Sequence, residues 1–150
     1  MVNEDYRDLL EALIRNGARF LVVGAHALAA HGYPRATVDI DLWISASPEN
    51  ASRVWRALAD FGAPLGDLQI REHDLTRPDM VAQFGLAPSR IDILTGVSGL
   101  SFDDAWKKRL VRVVEGVPVP VLSLADLITN KLATGRLKDR GDVKGLEGKA

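Results

Sequence analysis

The stretch Thr37-Val38-Asp39-Ile40-Asp41-Leu42-Trp43-Ile44 alternates without a break. Val38, Ile40, Leu42 and Ile44 define one face, and Thr37, Asp39, Asp41 and Trp43 the other. Unbroken alternation over this length predicts a β-strand with one buried face. Asp is depleted in strands, and two carboxylates at i and i+2 on one face lie only about 7 Å apart and repel. Cations relieve that repulsion. A carboxylate pair on a rigid strand suits two Mg²⁺ ions about 3.5–4 Å apart, the arrangement used in phosphoryl and nucleotidyl transfer. A solvated strand face with two ordinary Asp residues is the competing account.

The flanking sequence bears on that choice. Phe20-Leu21-Val22-Val23 is a short apolar run of β-formers and reads as a buried strand, broken by Gly24. Ala25 to His31 is rich in helix formers and Gly32 is a plausible stop. A strand–Gly–helix junction exposes the N–H groups of the first helical turn, and Gly24 lets phosphate oxygens approach the backbone. An ordinary tight turn would look the same. A dinucleotide-binding fingerprint is excluded, because it needs G-x-G-x-x-G and no glycine lies between Gly24 and Gly32. Further on, Arg90-Ile91-Asp92-Ile93-Leu94-Thr95 reads as another short strand. Paired beside the first, it would let Asp92 complete a three-carboxylate cluster.

Elsewhere the pattern is helix and strand in mixed order. Tyr6, Leu9, Leu10, Leu13 and Ile14 predict an amphipathic helix over 4–16. Ser47-Pro48-Glu49 opens a helix that carries Val54, Trp55, Leu58 and Phe61 and stops at Gly62. Residues 62–79 show no period and read as a short helix or a lid. A strand over 80–84, a helix over 102–109 and two strands around Glu115-Gly116 follow. Ser123 to Asp126 resembles a capping box that opens a last long helix, and Gly141 to Ala150 reads as a fraying end.

Bulk properties bound the class. A 150-residue chain is by default one domain, 1–150, able to bury about two-thirds of its unfolded surface. No apolar run reaches about 18 residues and no signal peptide is legible, so no membrane association is expected. The absence of Cys excludes disulfides and thiolate metal sites and suits a cytoplasmic setting. Residues 131–150 carry Lys131, Arg136, Lys138, Arg140, Lys144 and Lys149 against Asp139, Asp142 and Glu147. That net of +3 leaves −4 for the rest of the chain. A basic end can face a triphosphate or nucleic acid, or be a solvated helix end.

The order of Gly24-Ala25, Asp39-x-Asp41 and Ile91-Asp92-Ile93 resembles the signature of the polymerase β-like nucleotidyltransferases. The closer resemblance is to the small bacterial and archaeal branch around the AbiE-type toxins and minimal nucleotidyltransferases. It runs from about residue 18 to 147, through His31-Gly32-Tyr33-Pro34-Arg35-Ala36-Thr37, Ala87-Pro88-Ser89 and Leu122 to Lys131. The resemblance implies an α+β fold, a mixed sheet packed with helices. It also implies metal-dependent transfer of a nucleoside monophosphate from an NTP to an acceptor hydroxyl, in a toxin–antitoxin setting. In that scheme Asp39, Asp41 and Asp92 hold Mg²⁺ or Mn²⁺, and Asp92 takes the acceptor's proton. Gly24, Ala25 and the amides after them hold the phosphates, while Arg35 and Lys131 neutralise the leaving pyrophosphate. Many active members carry Gly-Ser where this chain has Gly24-Ala25, so a hydroxyl is missing here.

The acceptor is open between RNA, a protein hydroxyl and a small molecule, and a second subunit or partner protein is a candidate for completing its side. A catalytically inactive nucleotide-binding or antitoxin-like module is the alternative, favoured by Ala25. A third reading is nucleic-acid binding through the basic C-terminus. His26 and His31 fall on different helix faces and make no metal pair, and His26 is expected to face solvent or a phosphate. His73-Asp74 lacks the further ligands that HD-type hydrolysis needs. Trp43, Trp55 and Trp106 read as core anchors.

Overall fold

A computed structural model describes residues 2–34 and 36–135. The order is α1 (Glu4–Arg15), β1 (Phe20–Val23), α2 (Gly24–Ala30), β2 (Asp39–Ile44), α3 (Pro48–Phe61), a 3₁₀ turn (Glu72–Thr76), β3 (Val81–Phe84), β4 (Arg90–Leu94), α4 (Phe102–Lys107), β5 (Leu110–Val114), β6 (Val117–Val121) and α5 (Leu124–Thr134). The strands form one sheet in the order β3-β4-β2-β1-β6-β5. β2 runs parallel to β4 and β1 parallel to β6, and the other neighbours are antiparallel. The fold is the expected α+β arrangement, a mixed sheet with helices.

Helix ends follow local chemistry. The Asn3, Ser47, Ser101 and Ser123 side chains each accept a backbone N–H from the first turn of the helix that follows. Pro48 occupies the first turn of α3, and Gly62 ends that helix in the left-handed region open to glycine. In α1 the buried stripe is Tyr6, Leu9, Leu10, Ala12 and Leu13, whereas Ile14 is 47% exposed.

The two sheet faces are covered differently. Ile40, Leu42 and Ile44 are fully buried on one face of β2. Phe84 of β3 pairs with Ile91 on that face, and Phe61 of α3 lies 6.4 Å from its ring, so α3 covers this side together with α1, which packs on it. On the other face Trp43 meets the edge of Phe102 at 5.2 Å, and Phe102 stacks on Trp106 of the same helix. Arg19 and Arg109 flank the Trp106 ring. Trp43 is therefore the core anchor expected of it, while Trp55 and Trp106 are only partly buried.

One expectation for these elements needs correction. The strand begins at Asp39, not Thr37: Val38 is 46% exposed, and the Thr37 hydroxyl bonds to Asp39 instead of joining the ladder. Of the two alternatives for residues 62–79, a short helix or a lid, the structure has the short helix. This 3₁₀ turn packs against α3 through the buried Leu75, and a single buried side chain leaves no period to read. Within it Asp74 caps Arg71 N–H and pairs with Arg77, while His73 is exposed. The expected fraying over Gly141 to Ala150 lies outside the described residues.

Candidate active site

Alternation places Asp39 and Asp41 on the Trp43 face of β2. β4 lies parallel beside it with Asp41 opposite Asp92 and Asp39 opposite Arg90. The crossover through α3 and β3 thus returns a third carboxylate to the side of the second. One oxygen from each of Asp39, Asp41 and Asp92 can lie within 4.8 Å of the others, and no other acidic or histidine cluster of this kind occurs among the described residues.

Gly24 stands at the next strand over. Val23 pairs with Asp41, and Gly24 leaves β1 with φ +67°. A Cβ at Gly24 would overlap the Asp41 carboxylate oxygen Oδ2 unless that side chain shifted, and the left-handed backbone favours glycine as well. Val23 gives α2 no side-chain cap for the first-turn N–H groups next to the carboxylates. Ala25 lies in this turn, half-buried.

The electrostatics follow from crowding. Burial pushes the Asp41 carboxyl up from 3.8 to about 7. A hydrogen bond with Asp92 and the charges of Asp39 and Asp92 push the same way, and Lys131 of α5 pulls it down. Lys131, expected at the site from sequence, is therefore close enough for Asp41 to feel its charge. Arg35, also expected there, lies outside the described residues, as do the cations over 136–150. Three converging carboxylates on stiff strands, one with its pKa raised to about 7, fit the donor set of a divalent cation bound through oxygen.

Several neighbours went unread in the sequence. Gln83 Nε2 donates to Asp92 Oδ1 at 2.8 Å from the directly opposed position on β3. The Tyr6 hydroxyl lies 2.9–3.2 Å from the carbonyls of Val38, Pro88 and Arg90 and can donate to one of them at a time, which anchors α1 at the approaches to β2 and β4. Burial and then the charges of Asp39, Glu115, Asp41 and Asp92 push its pKa up to about 12. His26 does not face solvent. Its side chain is 14% exposed, its ring meets Tyr6 edge-on at 5.4 Å, and Nε2 lies 3.6 Å from Glu115. Burial lowers its pKa, against the opposing pull of Glu115 and Asp39. Glu115 also accepts the Asn3 N–H at 2.6 Å. His31 instead contacts the Leu122 carbonyl at 2.8 Å, so the two histidines make no pair, as expected.

The Gly junction and the carboxylate trio stand where the resemblance to the nucleotidyltransferases leads one to expect them. A family model described as "Nucleotidyltransferase of unknown function (DUF6036)" matches residues 2–147, and the chain belongs to that family. Its fold is similar to the crystal structure of a "putative nucleotidyltransferase" from Thermotoga maritima, with TM-score 0.64 and 18% identity over 100% of this chain and 97% of that one. No curated protein matches the chain. Among the described residues no helix is long and apolar enough to cross a membrane.

Proposed function

We propose that residues 1–150 form one nucleotidyltransferase domain that moves a nucleoside monophosphate from an NTP to an acceptor hydroxyl. The observation that carries this reading is the register Asp41↔Asp92, which brings one oxygen from each of three carboxylates within 4.8 Å of the others, beside a glycine with a left-handed backbone. Asp39, Asp41 and Asp92 would hold divalent cations, Mg²⁺ or Mn²⁺. Such ions screen phosphate charge and acidify an acceptor hydroxyl. Gly24, Ala25 and the following amides bind the triphosphate, with Arg35 and Lys131 as its counter-charges. Asp92 accepts the hydroxyl proton. The acceptor oxygen attacks the α-phosphorus in line, the bond to the bridging oxygen breaks, and pyrophosphate leaves.

The finer placement is the AbiE-type branch, a cytoplasmic enzyme in a toxin–antitoxin setting, with RNA, a protein or a small molecule as acceptor. A homodimer or partner protein would complete the acceptor side. The resemblance of the Gly24, Asp39-x-Asp41 and Asp92 stretches supports it. A second reading is a catalytically inactive nucleotide-binding or antitoxin-like module, favoured by the missing hydroxyl at Ala25. Incubation with each α-labelled NTP, Mn²⁺ and host lysate separates them. Label entering an RNA, protein or small-molecule fraction with wild type but not with Asp39→Ala/Asp41→Ala is the expected result. Metal-dependent NTP binding without transfer would replace it with the second reading.

A further inference from the structure

Gln83 stands out among the polar side chains around the carboxylates. β3 is an edge strand with Ala82 and Phe84 turned into the core and Val81 and Gln83 on the opposite, exposed face. An exposed strand glutamine is ordinarily solvated. This one sits directly opposite Asp92 and donates to its Oδ1 at 2.8 Å. The other neighbour of Asp92 is Asp41, opposite it on β2 and hydrogen-bonded to it. Asp92 is thus held from both flanks, by an amide on one side and a carboxyl on the other.

We propose that Gln83 is a positioning residue for Asp92, fixing the carboxylate rotamer so that its remaining oxygen lone pairs converge with Asp39 and Asp41 on a divalent cation. The inference rests on the metal-site reading above and extends it to a residue outside the carboxylate trio. An aspartate χ2 is broad and roughly two-fold, so a free Asp92 would sample orientations in which it misses the shared ion. An N–H donor on Oδ1 narrows that range without adding charge. Hydrogen-bond partners of ligating carboxylates typically account for about 10–100-fold in metal affinity. Gln83 contacts Asp92, so its action runs through the carboxylate.

The test is Mn²⁺ binding followed by the electron paramagnetic resonance of free Mn²⁺. Wild type, Gln83→Met, Val81→Thr and Asp92→Asn are compared, with thermal unfolding in EDTA alongside. Gln83→Met keeps the length and loses the N–H. The expected result is Mn²⁺ affinity lowered about tenfold in Gln83→Met, unchanged in Val81→Thr and lowered further in Asp92→Asn. The unfolding midpoints of wild type and Gln83→Met in EDTA should coincide, because the side chain is exposed. Wild-type affinity in Gln83→Met overturns the inference and leaves the metal site standing. Equal losses in Val81→Thr and Gln83→Met overturn it too, since they report edge-strand damage. No Mn²⁺ binding by wild type overturns both the inference and the metal-site reading.

Discussion

Asp41→Asn should stabilise the metal-free protein at neutral pH while abolishing its response to metal. The native Asp41 carboxyl titrates near 7 and the unfolded one near 3.8, chiefly because the native group is buried. Below the unfolded value both states are protonated and the site costs nothing. Between the two values the native state holds a proton the unfolded state has released, so stability falls as pH rises. Above about 7 the full penalty is present. At about 1.4 kcal/mol per tenfold change in proton affinity the gap sets an upper limit near 4 kcal/mol. Solvent screening of a group that is not fully buried brings it to about 2 kcal/mol. Asn keeps the shape and carries no charge, so the variant should match wild type near pH 4. It should exceed wild type by about 2 kcal/mol at pH 8. Urea unfolding in EDTA at unit pH steps measures this. Added Mn²⁺ should then raise wild-type stability by mass action and leave the variant unmoved. Parallel pH curves, or a variant less stable than wild type at pH 8, would refute the claim that the carboxylates are crowded by design of the strands.

Three further outcomes are expected. Gly24→Ala meets both a left-handed backbone and the Asp41 oxygen, so it should lose about 1–2 kcal/mol from conformation alone; wild-type unfolding and Mn²⁺ affinity together would contradict this. Tyr6→Phe removes a hydroxyl that can donate to one of three carbonyls at a time. It should destabilise by about 1–2 kcal/mol in urea unfolding, and no change would mean that the clasp holds nothing. Ala25→Ser adds a hydroxyl in the first turn of α2, so displacement of a fluorescent nucleotide should show roughly tenfold tighter NTP binding; unchanged affinity would place the triphosphate elsewhere.

The candidate site was partly legible in sequence because its signals are local. Alternation through Asp39 and Asp41 gives the strand and its carboxylate face from consecutive residues. The Val23-Gly24 junction and the Ser47-Pro48 helix start are similarly short-range. Pairing is not local. Nothing in Arg90 to Leu94 tells a parallel neighbour of β2 from an antiparallel one, or sets Asp92 opposite Asp41 instead of Asp39. Gln83 was invisible for the same reason: one polar residue in a four-residue strand says nothing until its partner across the ladder is known. His26 was misread because α2 is short. Its orientation is set by Tyr6 and Glu115, which come from α1 and the β5–β6 turn, not by the period of its own helix.

The raised pKa and the buried framework are two sides of one construction. Asp41 sits between Ile40 and Leu42, both fully buried, and Trp43 two residues on is locked against Phe102. Removing the Trp43 ring would cost about 3–5 kcal/mol, so the strand cannot turn its carboxylates apart at modest expense. On the approach side the Tyr6 hydroxyl lies within hydrogen-bond distance of the carbonyls of Val38 and Arg90 and can donate to either, which anchors α1 against the starts of β2 and β4. Like charges on a compliant loop would simply separate. On this sheet they are held together, and protonation of Asp41 or binding of a cation is the remaining way to relieve them. Stiffness is thus what keeps three like-charged aspartates close enough to share one divalent ion in the proposed site. In the proposed site it also gives Trp43 and Tyr6 a part to play without contact to nucleotide or metal.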